Sequence, residues 1–518
     1  MVRIANAVRP RLARAAAAAK PRVARLTKAV RPGLAHLPRR RNVRTWQYSA
    51  GAATAGLALA AGVVTAAGPW DANGQRTAER DRAAALERPG GADHGDSGTT
   101  PRAPGPAPSA VAVLASLSGT TDAVSTKKAP TGQKTFTDVL GPLLGAPALG
   151  GTHTAAVVDV GTGKRLYGTG ADKALTPAST TKIATALAAL SALGADHRFT
   201  TRTALEPGTE ELVLVGGGDP TLTAHPKADG WASLRTLAAG TAKVLGQRGV
   251  HKITLSYDTT LYSGSALHPI GVNDNLAPVS ALITDEGRTN ASTSGPAIRV
   301  SDPAADAATK FAGFLDDAGI KTTAPGPSKA TSSAETLATV SSPPLSTLVE
   351  RMLTNSDNDI AEALARQTAL ASGRAASFDG GAEAIAEQLR KLGLPMSGAS
   401  FHDGSGLNRD DRLTADLLTA LLVKAGDPGR PGLRPVLTGL PVAGFTGTLA
   451  RRYTNGAAGV VRAKTGTLTG VNTLAGTVVD KDGHLLAFAF LASGTANPLE
   501  AQAALDTTAT ALAGCGCG

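Results

Sequence analysis

The chain has 518 residues, enough for several domains and a large core, and carries a formal charge of +11 from 52 basic and 41 acidic residues. Thirteen basic residues and no acid fall within residues 1–45, leaving 39 basic against 41 acidic residues beyond them. With no basic excess in the body of the chain and 3% aromatic residues, the composition argues against nucleic-acid binding. The absence of HExxH or any Cys/His cluster argues against a metal or cofactor.

In chain order, the basic tail repeats a short unit every eleven residues, at Arg9-Pro10-Arg11-Leu12-Ala13, Lys20-Pro21-Arg22-Val23-Ala24 and Arg31-Pro32-Gly33-Leu34-Ala35. Two readings stand side by side: a segment held to anionic lipid, and a solvated tail that sets topology. Residues 49–68 form a twenty-residue run without a charge, bracketed by Trp46, Tyr48 and Trp70. That length spans a bilayer core, and the aromatic residues suit its two interfaces. Residues 46–70 are therefore expected to be a signal anchor, with residues 1–45 in the cytoplasm and the rest outside a single-pass cell membrane protein. Secretion after cleavage near Thr65-Ala66-Ala67 is the alternative. Residues 71–134, broken most clearly at Pro101-Arg102-Ala103-Pro104-Gly105-Pro106-Ala107-Pro108, read as a disordered linker because they cannot bury enough apolar surface to order themselves.

Folded sequence begins near Phe136. Residues 153–160, a turn at Gly161-Thr162-Gly163-Lys164 and Arg165-Leu166-Tyr167 predict a β-hairpin. Residues 180–193 and 345–371 are helical by pattern, residues 459–467, 474–479 and 484–492 predict strands, and residues 501–513 predict a closing helix. Strands from both chain ends imply an α+β domain, residues 135–197 and 343–518, whose antiparallel sheet pairs early and late segments. Residues 198–342 are expected to be an inserted α/β subdomain, with strands at 213–220, 250–256 and Ile298-Arg299-Val300 and a helix over 231–246. A bridge between the two cysteines, Cys515 and Cys517, would close a strained small ring, so no structural disulfide is assumed for the core.

Three strings carry the chemistry: Ser179-Thr180-Thr181-Lys182, Ser356-Asp357-Asn358 and Lys464-Thr465-Gly466. A serine hydroxyl is a poor nucleophile until a base takes its proton, and Lys182 lies one helical turn after Ser179. Lysine is a base only when neutral, which burial and a nearby cation such as Lys464 promote. Ser179 at a helix start has a free N–H for a developing oxyanion, and the Thr467 N–H is the candidate second donor. Lys464 and Thr465 would meet a substrate carboxylate, with Gly466 leaving room for substrate backbone. Ser356 would relay a proton to the leaving amine, Asn358 would hold the acyl-side peptide group, and Asp357 would cap the next helix. Asp403-Gly404-Ser405-Gly406 reads as a tight turn rather than a second nucleophile, since no Gly-x-Ser-x-Gly elbow is present.

The triple, together with residues 214–222, 403–409 and 440–449, resembles the low-molecular-mass class C penicillin-binding proteins, D-alanyl-D-alanine carboxypeptidases that also act as endopeptidases. The likeness covers about residues 136 to 514. It implies a penicillin-recognising serine-enzyme fold, cleavage of peptidoglycan stem peptides through an acyl-enzyme on Ser179, and covalent inhibition by β-lactams. It places the base at Lys182, the second motif at Ser356 and Asn358, and the third at Lys464, Thr465 and Gly466. A serine β-lactamase and a non-catalytic peptidoglycan-binding protein are the alternatives; for the first, Glu362 is the nearest glutamate after Asn358, in an apparent helix.

Overall fold

Thr135 starts the folded chain by capping helix α1 (Phe136–Leu144), its hydroxyl accepting from the Asp138 N–H while Asp138 accepts from the Thr135 N–H. The structure, a computed structural model, describes residues 134–453 and 456–517. The expected tail, anchor and linker, residues 1–133, lie outside these. Among the described residues no helix is long and apolar enough to cross a membrane.

After α1 come strands β1 (Thr152–Asp159) and β2 (Arg165–Thr169) and helix α2 (Thr181–Leu193). The chain then leaves for a second layer: β3 (Thr200–Leu205), β4 (Glu211–Val215), α3 (Leu234–Gln247), β5 (Lys252–Asp258), α4 (Pro303–Asp317), the two-residue strands β6 (Lys321–Thr322) and β7 (Gly326–Pro327), and β8 (Glu335–Ser341). It returns through α5 (Leu345–Asn355), α6 (Asn358–Ala371), α7 (Phe378–Lys391), α8 (Ala415–Ala425) and the short α9 (Pro435–Thr438), and ends in β9 (Arg462–Leu468), β10 (Val471–Val479), β11 (Leu485–Ser493) and α10 (Pro498–Ala513).

Five strands form one antiparallel sheet in the order β2-β1-β11-β10-β9, so early and late segments pair as the sequence predicts. Along β11 the side chains alternate between two cores. Leu486, Phe488 and Phe490 face α1 and α10, while Ala487, Ala489 and Leu491 face the layer built by α2, α5, α6 and α8. Both faces are covered, so the strand reads as a continuous apolar run. Helix α2 is buried from Thr181 to Leu190, which its Ala-rich composition permits. The second sheet has six strands, runs β6-β5-β4-β3-β8 with β7 on β5, and packs α3 and α4 around a core of its own.

One expectation needs correction. Residues 298–300 form no strand; they make a single bridge, Arg288 to Arg299, because Arg299 turns inward to ion pairs while Ile298 is exposed. The cysteines are bonded to each other, which the 5.1 Å Cα separation in the turn after α10 allows. The bridge closes only that turn and joins no two elements.

Candidate active site

The chain enters α2 through a single 3-10 turn, Ala178–Thr180, which carries Ser179. The hydroxyls of Thr180 and Thr473 both donate to the Pro177 carbonyl, at 2.7 and 2.8 Å, tying the turn to β10. Ala178 sits at φ 49°, a left-handed conformation that costs a residue with a Cβ about 1–2 kcal/mol. Behind it Gly406 leaves no room for a side chain: a Cβ there would lie 2.0 Å from the Ala178 carbonyl oxygen. Ser179 is thus presented by a turn gripped from two sides.

Lys182, one turn along α2, is fully buried. Its Nζ lies 3.2 Å from Ser179 Oγ, 2.6 Å from Asn358 Oδ1 and 2.7 Å from the Ser405 carbonyl oxygen. Burial pulls its pKa down to about 8, against the opposing pull of the Asp403, Glu362, Asp357 and Asp359 carboxylates. Lys464 on β9, also buried, donates to Ser356 Oγ and the Thr465 carbonyl, each at 2.8 Å. Burial, then the charges of Lys182 and Arg452, hold Lys464 well below the usual lysine range. The sequence reading makes Lys464 the cation that helps unload Lys182, and the repulsion is mutual: each ammonium disfavours the other. Carboxylates facing Lys182 partly offset its burial.

Ser356 and Asp357 are the joint between α5 and α6. Ser356 ends α5 in the left-handed region, φ 59°, and Asp357 caps α6 by accepting from the Ile360 N–H at 3.0 Å, leaving Asn358 as its first residue. The inserted subdomain braces this joint. The Asn275 carbonyl accepts from Asn358 Nδ2 at 2.9 Å, which fixes the amide with its oxygen toward Lys182. Arg299 pairs with Asp359 at 2.9 Å, and Glu286 pairs with both Arg288 and Arg351, at 2.8 and 2.6 Å. Burial still outweighs Arg299 and lifts Asp359 to about 7. Glu286 is pushed well above the usual carboxylate range by burial and then by Asp357 and Asp359.

Strand β9 ends the sheet. The Thr465 hydroxyl donates to Thr448 Oγ1 at 3.0 Å. At Gly466 a Cβ would lie 2.1 Å from Thr473 Oγ1 and 2.7 Å from the Pro177 carbonyl oxygen, so the missing side chain makes room for the Ser179 turn. Ser179, Ser356, Asn358 and Thr467 line one cleft of about 290 Å³, joined by Asn275 and Arg299 from the inserted subdomain. A larger hollow of about 770 Å³, by Arg165, Asp416 and Lys424, contains none of these groups and is not the site.

Sequence reasoning missed the part played by the turn at residues 403–408. Ser405 reaches Lys182 through its backbone carbonyl, which has no residue signature, while its own hydroxyl is buried and points to Asp403. Asn275 was missed for the same reason. Glu362 is spent on the N–H groups of Gly404 and Ser405. His268, Glu362 and Asp403 bring ligand-type atoms within 4.8 Å of one another, as do Glu286, Asp357 and Asp359. The first group is already engaged by protein hydrogen bonds; in the second, Glu286 and Asp359 are held in ion pairs, while Asp357 Oδ2 is buried without a hydrogen-bond partner.

The family model described as D-Ala-D-Ala carboxypeptidase 3 (S13) matches residues 138–297 and 288–512. A carboxypeptidase DacB of Mycolicibacterium smegmatis is 38% identical over 385 residues, covering 71% of this chain and 82% of the relative. A D-alanyl-D-alanine carboxypeptidase of an Actinomadura species is 31% identical over 442 residues, covering 69% and 80%. The crystal structure of penicillin binding protein 4 from Haemophilus influenzae superposes with a TM-score of 0.58 at 22% identity, over 69% of this chain and 95% of that one, and shares the fold. Sequence and fold together place the chain in the D-Ala-D-Ala carboxypeptidase S13 family, the low-molecular-mass class C penicillin-binding proteins.

Proposed function

We propose that this chain is a serine D-Ala-D-Ala carboxypeptidase that also opens D-alanine cross-links, acting on peptidoglycan stem peptides through an acyl-enzyme on Ser179. The observation that carries this is Lys182 Nζ, buried at the foot of the cleft and within hydrogen-bonding reach of Ser179 Oγ, Asn358 Oδ1 and the Ser405 carbonyl at once. Ser179 Oγ attacks the carbonyl carbon of the penultimate D-alanine as its proton passes to neutral Lys182. The Ser179 and Thr467 N–H groups receive the oxyanion. The terminal carboxylate supplies the anion that Lys464 lacks, so Lys464 holds a proton once substrate is bound, and Thr465 adds a hydroxyl contact. Protonated Lys464 passes a proton through Ser356 Oγ to the leaving amine, the C–N bond breaks, D-alanine departs, and water hydrolyses the ester. A β-lactam stops at that ester. Glu362 supports this reading over a serine β-lactamase: it is buried and engaged by two N–H groups, unsuited to activating water.

Labelling the full chain with a fluorescent penicillin tests the assignment. The expected result is one covalent label that disappears in Ser179→Ala, with D-alanine released from a pentapeptide only by the parent chain; equal labelling of both would reject Ser179. Residues 46–70 we read as an anchor in the cell membrane, with the cleft outside; the uncharged run at 49–68 and its aromatic brackets support this.

A further inference from the structure

His268 belongs to the inserted subdomain, yet it is buried in the catalytic one, its ring edge-on to Phe378 at 5.1 Å between centroids. Its Nδ1 accepts from the Ile270 N–H at 3.2 Å, so that nitrogen carries a lone pair and the ring proton is on Nε2. Nε2 lies 3.0 Å from Asp403 Oδ2 and donates to it. Asp403 accepts further from the Gly406 N–H at 2.6 Å and the Asn408 N–H at 2.7 Å, while Glu362 accepts from the Ser405 N–H at 2.8 Å. Two buried carboxylates therefore hold the turn whose Ser405 carbonyl faces Lys182 Nζ. Burial alone would raise Asp403, but the His268 hydrogen bond and the backbone N–H groups outweigh it and keep the carboxyl ionised.

We propose that His268 is a positioning residue for acylation: through Asp403 and Ser405 it fixes where the Lys182 amine sits relative to the Ser179 hydroxyl. The inference rests on the Ser179–Lys182 assignment above. The inserted subdomain thereby sets the geometry of a base it never touches. Without the Nε2–H, Asp403 Oδ2 keeps only the Asn408 N–H at 2.7 Å and the longer Ser405 hydroxyl contact at 3.3 Å, so the turn relaxes and the lysine leaves its line to the serine.

Two near-isosteric replacements in the full chain separate the donor from the bulk. His268→Met fills the space without a donor; His268→Gln offers an N–H. Stopped-flow labelling with a fluorescent penicillin yields the pre-covalent dissociation constant and the acylation rate constant separately. The expected result is a rate constant reduced roughly 10- to 100-fold in His268→Met with unchanged pre-covalent affinity, and largely restored in His268→Gln. An unchanged rate constant in His268→Met, or equal losses in both variants, would overturn the proposal. If His268→Met does not fold, ¹⁵N-histidine spectra of the parent chain decide: a proton on Nε2 and none on Nδ1 supports the chain of bonds, and the opposite tautomer overturns it. Loss of the parent's own label at Ser179 would instead mark failure of the underlying assignment.

Discussion

Two buried lysines lie behind one cleft, and burial pulls both below the usual lysine range. Lys182 keeps its proton until about pH 8 because Asp403 and Glu362 partly offset burial. Acylation needs the neutral amine, whose fraction rises with pH. The acylation rate of the full chain by penicillin should therefore climb with pH, reach half its limit near 8 and level off above it, the acid limb belonging to Lys182. A rate independent of pH below that value would remove Lys182 from the role of base. The same shift bears on stability with the opposite look: folding disfavours the protonated form. Burying Lys182 therefore costs stability below about 8, and that cost fades as pH rises toward the ordinary value of 10.5.

Between elements, the decisive contact is that of β9 against the turn before α2, and Gly466 makes it possible. Gly466→Ala should cost about 1–3 kcal/mol in urea unfolding and sharply slow penicillin labelling, because the added methyl meets Pro177 and Thr473. Gly151→Ala, with nothing within 4 Å of its Cβ position, should do neither. How much of this was legible follows from what each element shows in one dimension. The α+β class, the sheet joining both chain ends, and Ser179, Lys182, Ser356 and Lys464 as a set came from apolar pattern and motif. The inserted subdomain yielded less. Residues 298–300 looked like a strand because Ile and Val flank Arg299, and the pattern holds no sign of the Asp359 partner that turns it inward. β8, a half-buried edge strand, and α4 were not singled out. The Ser405 and Asn275 contributions were invisible since every residue has a carbonyl.

At the scale of the whole molecule, the anchor proposed for residues 46–70 makes a direct prediction: the full chain expressed in a bacterial host should sediment with membranes and resist salt extraction, whereas a chain starting at residue 71 should not. Appearance of a shortened, soluble form outside the cell would favour cleavage instead. The order β2-β1-β11-β10-β9 puts β11, the last strand to be made, in the middle of the sheet. Strand β1 is complete more than 300 residues earlier and, paired with β2 on one side, waits with its other edge open. A chain made from its amino end therefore cannot assemble the cleft by halves. Premature termination anywhere before residue 485 leaves no central strand, and with it no sheet against which the Ser179 turn can be held.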